Sequence, residues 1–208
     1  MQLTTTAFAD GQPIPDHYAF AQPDADNHFR FSDNHNPDLA WSGVPDGTQS
    51  LVLLCIDPDA PSKPDDVNQE DREVPSDLPR VDFFHWVMVD LPADTGGIDA
   101  GACASEVTPG GKRQPAGPAG ARQGLNTYTD WFAGDPDLGG HYYGYDGPAP
   151  PWNDSIPHRY EFRLIATDLP RCPVEGDFTG PELLAVLEDH VLATASVTGT
   201  YTLNPRLR

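Results

Sequence analysis

The chain has 208 residues, a length that suits one domain with a sizeable core. Its 32 acidic against 12 basic residues leave a formal net charge of −20, which opposes binding to nucleic-acid phosphates or anionic lipid surfaces. The 23 prolines and 19 glycines disfavour a helical bundle and suit short strands joined by punctuated turns, and three cysteines are too few for a disulfide scaffold or a zinc site.

The opening MQLTTTAFADG lacks a basic n-region and an apolar h-region, and no later run approaches the eighteen apolar residues of a membrane span, so a soluble cytoplasmic protein is expected. Only Lys63 and Lys112 are lysines, a surface composition that suits a salt-adapted or high-GC source. Weak alternation predicts a first strand within residues 1–10 and a short one at Tyr18–Phe20. Phe29 and Phe31, two apart, anchor one face of another. Trp41 is expected in the core, and Val44-Pro45-Asp46-Gly47 forms a turn.

Leu51 to Ile56 is wholly apolar and reads as a strand buried on both faces. It runs into Asp57-Pro58-Asp59-Ala60-Pro61, where proline restricts the backbone and two carboxylates sit at the strand's exit. Residues 62–80 hold nine charged residues and three prolines in nineteen positions and are read as an acidic surface loop insertion, a candidate lid beside the Asp pair.

Val81–Pro92 is the second strong strand. Strict alternation would put His85 on one face with Val87 and Val89, and Trp86 with Met88 on the other. Residues 93–124 carry no hydrophobic period and read as an irregular connection. The aromatic stretch 125–145 either walls a pocket or packs a loop. Residues 144–151 are held extended by Gly and Pro, and His158–Thr167 alternates, with His158, Tyr160, Phe162 and Leu164 on one face. One helix is predicted over Pro181–Ala193, with a stripe of Leu183, Leu184, Leu187, Val191 and Leu192, followed by a final strand over 195–203.

Three strand ends thus carry Asp57 with Asp59, His85, and His158 with Tyr160. A carboxylate that accepts from one imidazole nitrogen favours the imidazolium and leaves the other N–H for an anion, with a tyrosine hydroxyl and loop N–H groups to complete a cup. The residues point to a pocket for a small phosphate-like group.

Asp57-Pro-Asp-Ala-Pro61, His85-Trp-Val-Met-Val-Asp-Leu-Pro92, Gly144-Tyr-Asp-Gly-Pro-Ala-Pro-Pro151 and His158-Arg-Tyr160, in that order, resemble the phosphatidylethanolamine-binding protein family, which includes the Raf kinase inhibitor protein. The resemblance covers most of the chain from about residue 30. It implies a mainly β fold over residues 1–208, a single-domain antiparallel β-sandwich with one C-terminal helix and long loops. It further implies ligand-binding positions at Asp57, Asp59, Pro61, His85, Gly147, His158 and Tyr160, and a cis bond at Ala60-Pro61. The family's usual Lys-Gly after the double proline is Trp152-Asn153 here, so the pocket's rim departs from the pattern.

The expected function is a non-catalytic binding protein for phosphate, a phosphorylethanolamine headgroup or a carboxylate. It would need no cofactor or metal, form a monomer or homodimer, and modulate a kinase, a protease or another protein partner. The alternative is a hydrolase that uses Asp57, His85 and His158, with or without a metal.

Overall fold

In a computed structural model that describes residues 1–208, ten strands form two sheets and a hairpin. The larger sheet has five antiparallel strands. At its centre β5 (Ser50–Pro61) lies between β6 (Arg80–Leu91) and β9 (His158–Thr167). Strand β10 (Val191–Tyr201) and the two-residue β8 (Arg122–Gln123) form the edges. The smaller sheet pairs β1 (Gln2–Thr4) with β4 (Leu39–Ser42) and β7 (Gly97–Ile98). A hairpin joins β2 (Ala21–Asp24) to β3 (His28–Phe31).

Why residues 51–56 of β5 are all apolar follows from the two cores that flank the strand. Leu51, Leu53 and Cys55 face a core shared with Trp86, Met88, Phe162, Leu164 and the small sheet's Leu3, Leu39 and Trp41. Val52, Leu54 and Ile56 face the opposite way, into a second cluster closed by Leu183 and Leu187 of helix α2 (Gly180–Leu187). Each such side chain contributes about 1.5–3 kcal/mol when buried, and none on this strand turns to water.

Several local expectations are corrected. The first strand stops at Thr4, and Asp16–Tyr18 forms a 3-10 turn before β2 instead of a strand. Phe29 and Phe31 do lie on a strand, yet both are exposed. A four-residue helix, α1 (Tyr128–Trp131), occupies the aromatic stretch. Helix α2 starts as the sequence suggests, with Glu182 accepting the Thr179 N–H at 2.9 Å, but ends at Leu187. Val191 and Leu192, assigned to its stripe, begin β10 and are exposed. Beyond Leu187 the chain turns at Asp189-His190, where the Asp168 N–H reaches the His190 carbonyl, and β-branched Val191 pairs with Thr167. Helical periodicity over five residues could not separate the two fates.

Candidate functional site

Irregular pairing between β5 and β6 builds the site. Cys55 pairs with Trp86 but Ile56 pairs with Phe84, so His85 is an extra residue in a β-bulge. The bulge inverts the expected facing: Phe84, Val87 and Val89 pack under α2, whereas the His85 ring lies against Tyr128 and Tyr160 on the opposite side. A second irregularity, between Asp57 opposite Phe83 and Ala60 opposite Val81, bends the Asp-Pro-Asp segment and turns the Asp57 carboxylate toward β9. The chain stays extended through Ala60-Pro61 and pairs with Val81 and Arg80. The bond there is trans, as every peptide bond is, so the cis bond implied by resemblance is absent.

His158 and Tyr160 project from the start of β9 as its alternation predicts, both buried. The partners of His158 differ from expectation. Its Nδ1 lies 2.7 Å from Asp57 Oδ2, and its Nε2 lies 3.0 Å from Asp154 Oδ2. The second N–H therefore meets a carboxylate of the protein and is not free for a ligand. Burial alone would depress the His158 pKa, but Asp57 and Asp154 outweigh it and raise the value to about 9. Asp154 in turn receives both ends of the Arg80 guanidinium, at 2.6 and 3.0 Å. Against its own burial, these bonds from His158 and Arg80 hold its carboxyl below the usual range. Asp57, His158, Asp154 and Arg80 thus form a line of alternating charge with no net charge.

His85 is different. Its Nδ1 lies 2.8 Å from the Asp146 carbonyl, which can only accept, so Nδ1 carries the hydrogen and Nε2 is left without a partner in the protein. Burial lowers its pKa, opposed in part by Asp57 and the Asp146 carbonyl. The loop behind it is held by the buried Asp146 carboxylate, which accepts from Asn34, Lys112 and Asn126 at 2.8, 2.8 and 2.9 Å. The Tyr160 hydroxyl, fully buried, makes no hydrogen bond within the protein.

These groups floor a cavity of about 280 Å³. Asp57, His85, His158, Tyr160 and Pro61 line it, as do Tyr128 and Thr127; Val81, Asp82, Asp130 and Trp131 stand exposed at its mouth. Two sequence-predicted residues lie outside the lining. Asp59 turns away to Arg159, whose N–H, Nε and Nη2 lie 2.7–2.9 Å from its carboxylate. Gly147 donates its N–H to Asn34 Oδ1 at 2.8 Å and its carbonyl accepts from the Tyr128 hydroxyl at 2.9 Å, so it fixes the loop and offers no N–H to the cavity. A Cβ at that position would stand 2.1 Å from the Tyr18 carbonyl oxygen, which requires glycine there.

Asp146, Asp154 and Arg80 were not singled out from sequence. Asp146 lay in plain view inside the Gly-Pro motif and Asp154 four residues before His158, but an acid in a turn-rich segment ordinarily reads as solvated. No group of three or more His, Cys, Asp or Glu converges as metal ligands. Both ring nitrogens of His158 meet carboxylates of the protein, so neither is presented to a metal or a substrate.

Fold and site together define a mainly β protein with a polar-floored cavity beside its central strand. A family model described as phosphatidylethanolamine-binding protein matches residues 4–202, and the chain belongs to this family. UPF0098 protein YbhB of Escherichia coli K12 is 32% identical over 201 residues, covering 97% of this chain and 99% of the relative. A UPF0098 protein of Methanothermobacter thermautotrophicus is 33% identical, covering 97% and 98%. Among solved structures, Escherichia coli YbcL, described as a member of the mammalian family, superposes with a TM-score of 0.69 at 27% identity, covering 97% of each chain. A phosphatidylethanolamine-binding protein homologue of Chlamydia trachomatis gives 0.64 at 30% identity, covering 96% and 95%. No helix is long and apolar enough to cross a membrane.

Proposed function

We propose that the cavity binds a small molecule by an anionic end, phosphoryl or carboxylate, without turning it over. The observation that carries this reading is the fully buried Tyr160 hydroxyl, unpartnered within the protein, beside the free Nε2 of His85, which carries a lone pair in the neutral ring and donates to an anion once binding protonates it. A buried hydroxyl without a partner costs about 1–3 kcal/mol, which an acceptor on the ligand recovers.

Charge refines the ligand class. The cavity holds no uncommitted cation, since His158 is neutralised on both sides and His85 is neutral near pH 7. A bare dianion gains little there. Asp82 and Asp130 at the mouth favour a ligand whose anionic end enters first and whose ammonium stays outside, beside the Trp131 face. Phosphorylethanolamine has that shape, and a headgroup of this size fits a cavity of about 280 Å³.

Titration calorimetry tests the reading. Phosphorylethanolamine should bind more tightly than inorganic phosphate, and His85→Ala should weaken it by about tenfold or more, the equivalent of one charge-assisted hydrogen bond. Undiminished binding in His85→Ala, or turnover of the ligand by the wild-type protein, would remove it.

A further inference from the structure

The segment between β5 and β6, residues 62–79, carries six acidic against two basic residues and hardly an apolar one, a composition that would favour an extended, solvated loop. Instead it is folded back on the cavity, where Val67 and Asn68 form part of the wall. One buried side chain accounts for this. Asn153 Nδ2 lies 2.8, 3.2 and 3.0 Å from the carbonyl oxygens of Asp66, Gln69 and Arg72, and Asn153 Oδ1 accepts the Asn68 N–H at 2.9 Å. A single amide therefore ties four points along seven residues of the wall. Its backbone continues the work, as the Asn153 carbonyl accepts the Val74 N–H at 3.1 Å.

Trp152 braces the outside. Its N–H reaches Asn68 Oδ1 at 3.0 Å, and its ring stacks on His28 of β3 at 3.8 Å, 7° from parallel, while His28 Nε2 lies 2.9 Å from Glu70 Oε1. Pro150 and Pro151 of the same loop line the cavity, and Asp154, next along, carries the ion pair with His158. The wall and the polar floor thus hang on consecutive residues, and the wall's position is tied to the floor's.

We propose that Asn153 is a specificity-determining positioning residue: by tying residues 66–72 across the cavity it sets the width of the opening to His85, admitting small headgroup-sized anions and turning away phosphomonoesters with a bulky ester group. The amide suits this role because only Asn among short side chains offers two N–H donors, here shared among three carbonyls, and an acceptor for an N–H at one point. Aspartate of the same shape would face those carbonyls with charge and no donor. The size-selection arm rests on the cavity being the anion site proposed above; the access arm does not.

Two variants open the wall differently: Asn153→Ala frees the segment, and Val67→Ala trims the wall without touching a hydrogen bond. Access is read without any ligand, by the rate at which diethylpyrocarbonate modifies His85, followed by mass spectrometry. The doubly bonded, protonated His158 is the internal control. We expect His85 to react about tenfold faster in Asn153→Ala, the size of a barrier lowered by about 1.4 kcal/mol, and several-fold faster in Val67→Ala.

Selection is read by calorimetry as the ratio of dissociation constants for phosphotyrosine and phosphorylethanolamine, which should fall by about tenfold in Asn153→Ala. A loss of folding stability alone would lower both affinities and leave the ratio where it was. Equal His85 reactivity in wild type and both variants overturns the inference, as does an unchanged ratio in a folded Asn153→Ala protein whose Arg72 has become open to trypsin. Should the wild-type protein bind neither ligand, the anion-site reading falls while the His85 reactivity still decides whether Asn153 controls access.

Discussion

Two histidines face one cavity from β6 and β9, on either side of β5, and their surroundings make them opposites. His158 lies between two carboxylates and is held as a cation, with both N–H groups committed to the protein. His85 rests on a backbone carbonyl and, through burial, is kept neutral with Nε2 open. The first is a buried charge that ties β5, β9 and the Asp154 loop together; the second has a ring nitrogen that no protein group meets, the one the proposed ligand would use. Residue type and position on a strand do not separate these roles; the count of carboxylates within hydrogen-bond reach does.

The largest effect expected from breaking this contrast is on stability. Asp154→Asn removes the charge that serves both the buried His158 and the part-buried Arg80, leaving each short of a counter-charge, a loss of about 3 kcal/mol. The thermal midpoint should fall by about 10 °C, read by calorimetry at pH 6. A fall of under 2 °C would mean the ion-pair line holds little together. The same pair sets a pH window. The His158 pKa is raised from 6.5 to about 9, so its contribution is present in full below pH 6.5 and is lost as pH rises through about 9. Asp154, lowered from 3.8, loses its contribution as pH falls below that value. Stability should therefore peak between about pH 4 and 6.5 and decline by about 3 kcal/mol toward pH 9, a decline that His158→Gln abolishes.

A smaller effect separates the histidines by affinity. An anion at Nε2 favours protonated His85, so binding takes up a proton wherever His85 is neutral, and affinity should rise by up to tenfold per pH unit as pH falls toward its lowered pKa. Acetate is the suitable probe, because its own charge is constant from pH 8 to 6. A flat profile, or one equally steep in His85→Gln, would contradict the assignment of Nε2 as the ligand's partner.

How much of this was legible before the fold depended on whether a residue obeyed a period. Leu51 to Ile56 and His158 to Leu164 follow simple rules, a run buried on both faces and a strict alternation, and both were read correctly to the residue. The ordered motifs around Asp57, His85, Gly147 and His158 revealed the family, which strand patterns alone could not. His85 was placed on the wrong face because a bulge adds one residue that hydrophobic alternation does not mark. Asp146 and Asp154 escaped notice because their burial is created by distant partners, Asn34, Lys112 and Asn126 for one, Arg80 and His158 for the other. Asp59 and Gly147 were assigned to the ligand by motif, whereas Arg159 and Asn34 occupy them. A motif identifies which residues matter without distinguishing those that touch a ligand from those that hold its neighbours.

The finest test concerns Tyr160, where stability and binding should move in opposite directions. Its hydroxyl is buried without a protein partner, while its ring packs beside His85 and in the core with Phe162. Tyr160→Phe keeps the ring and removes an unmet polar group, so the thermal midpoint of the ligand-free protein should hold or rise by about 1–3 °C, a gain of up to about 1 kcal/mol. The same change should weaken phosphorylethanolamine by about fivefold to tenfold, the worth of one hydrogen bond. Most core substitutions that impair a site also destabilise the protein, because the lost contact served both. A variant that is no less stable and yet binds more weakly would mark Tyr160 as held in reserve for the ligand, the role proposed for His85 and closed to His158. If instead Tyr160→Phe lowers the midpoint and leaves affinity unchanged, the hydroxyl serves the fold, and His85 alone on the cavity floor is left to meet the ligand.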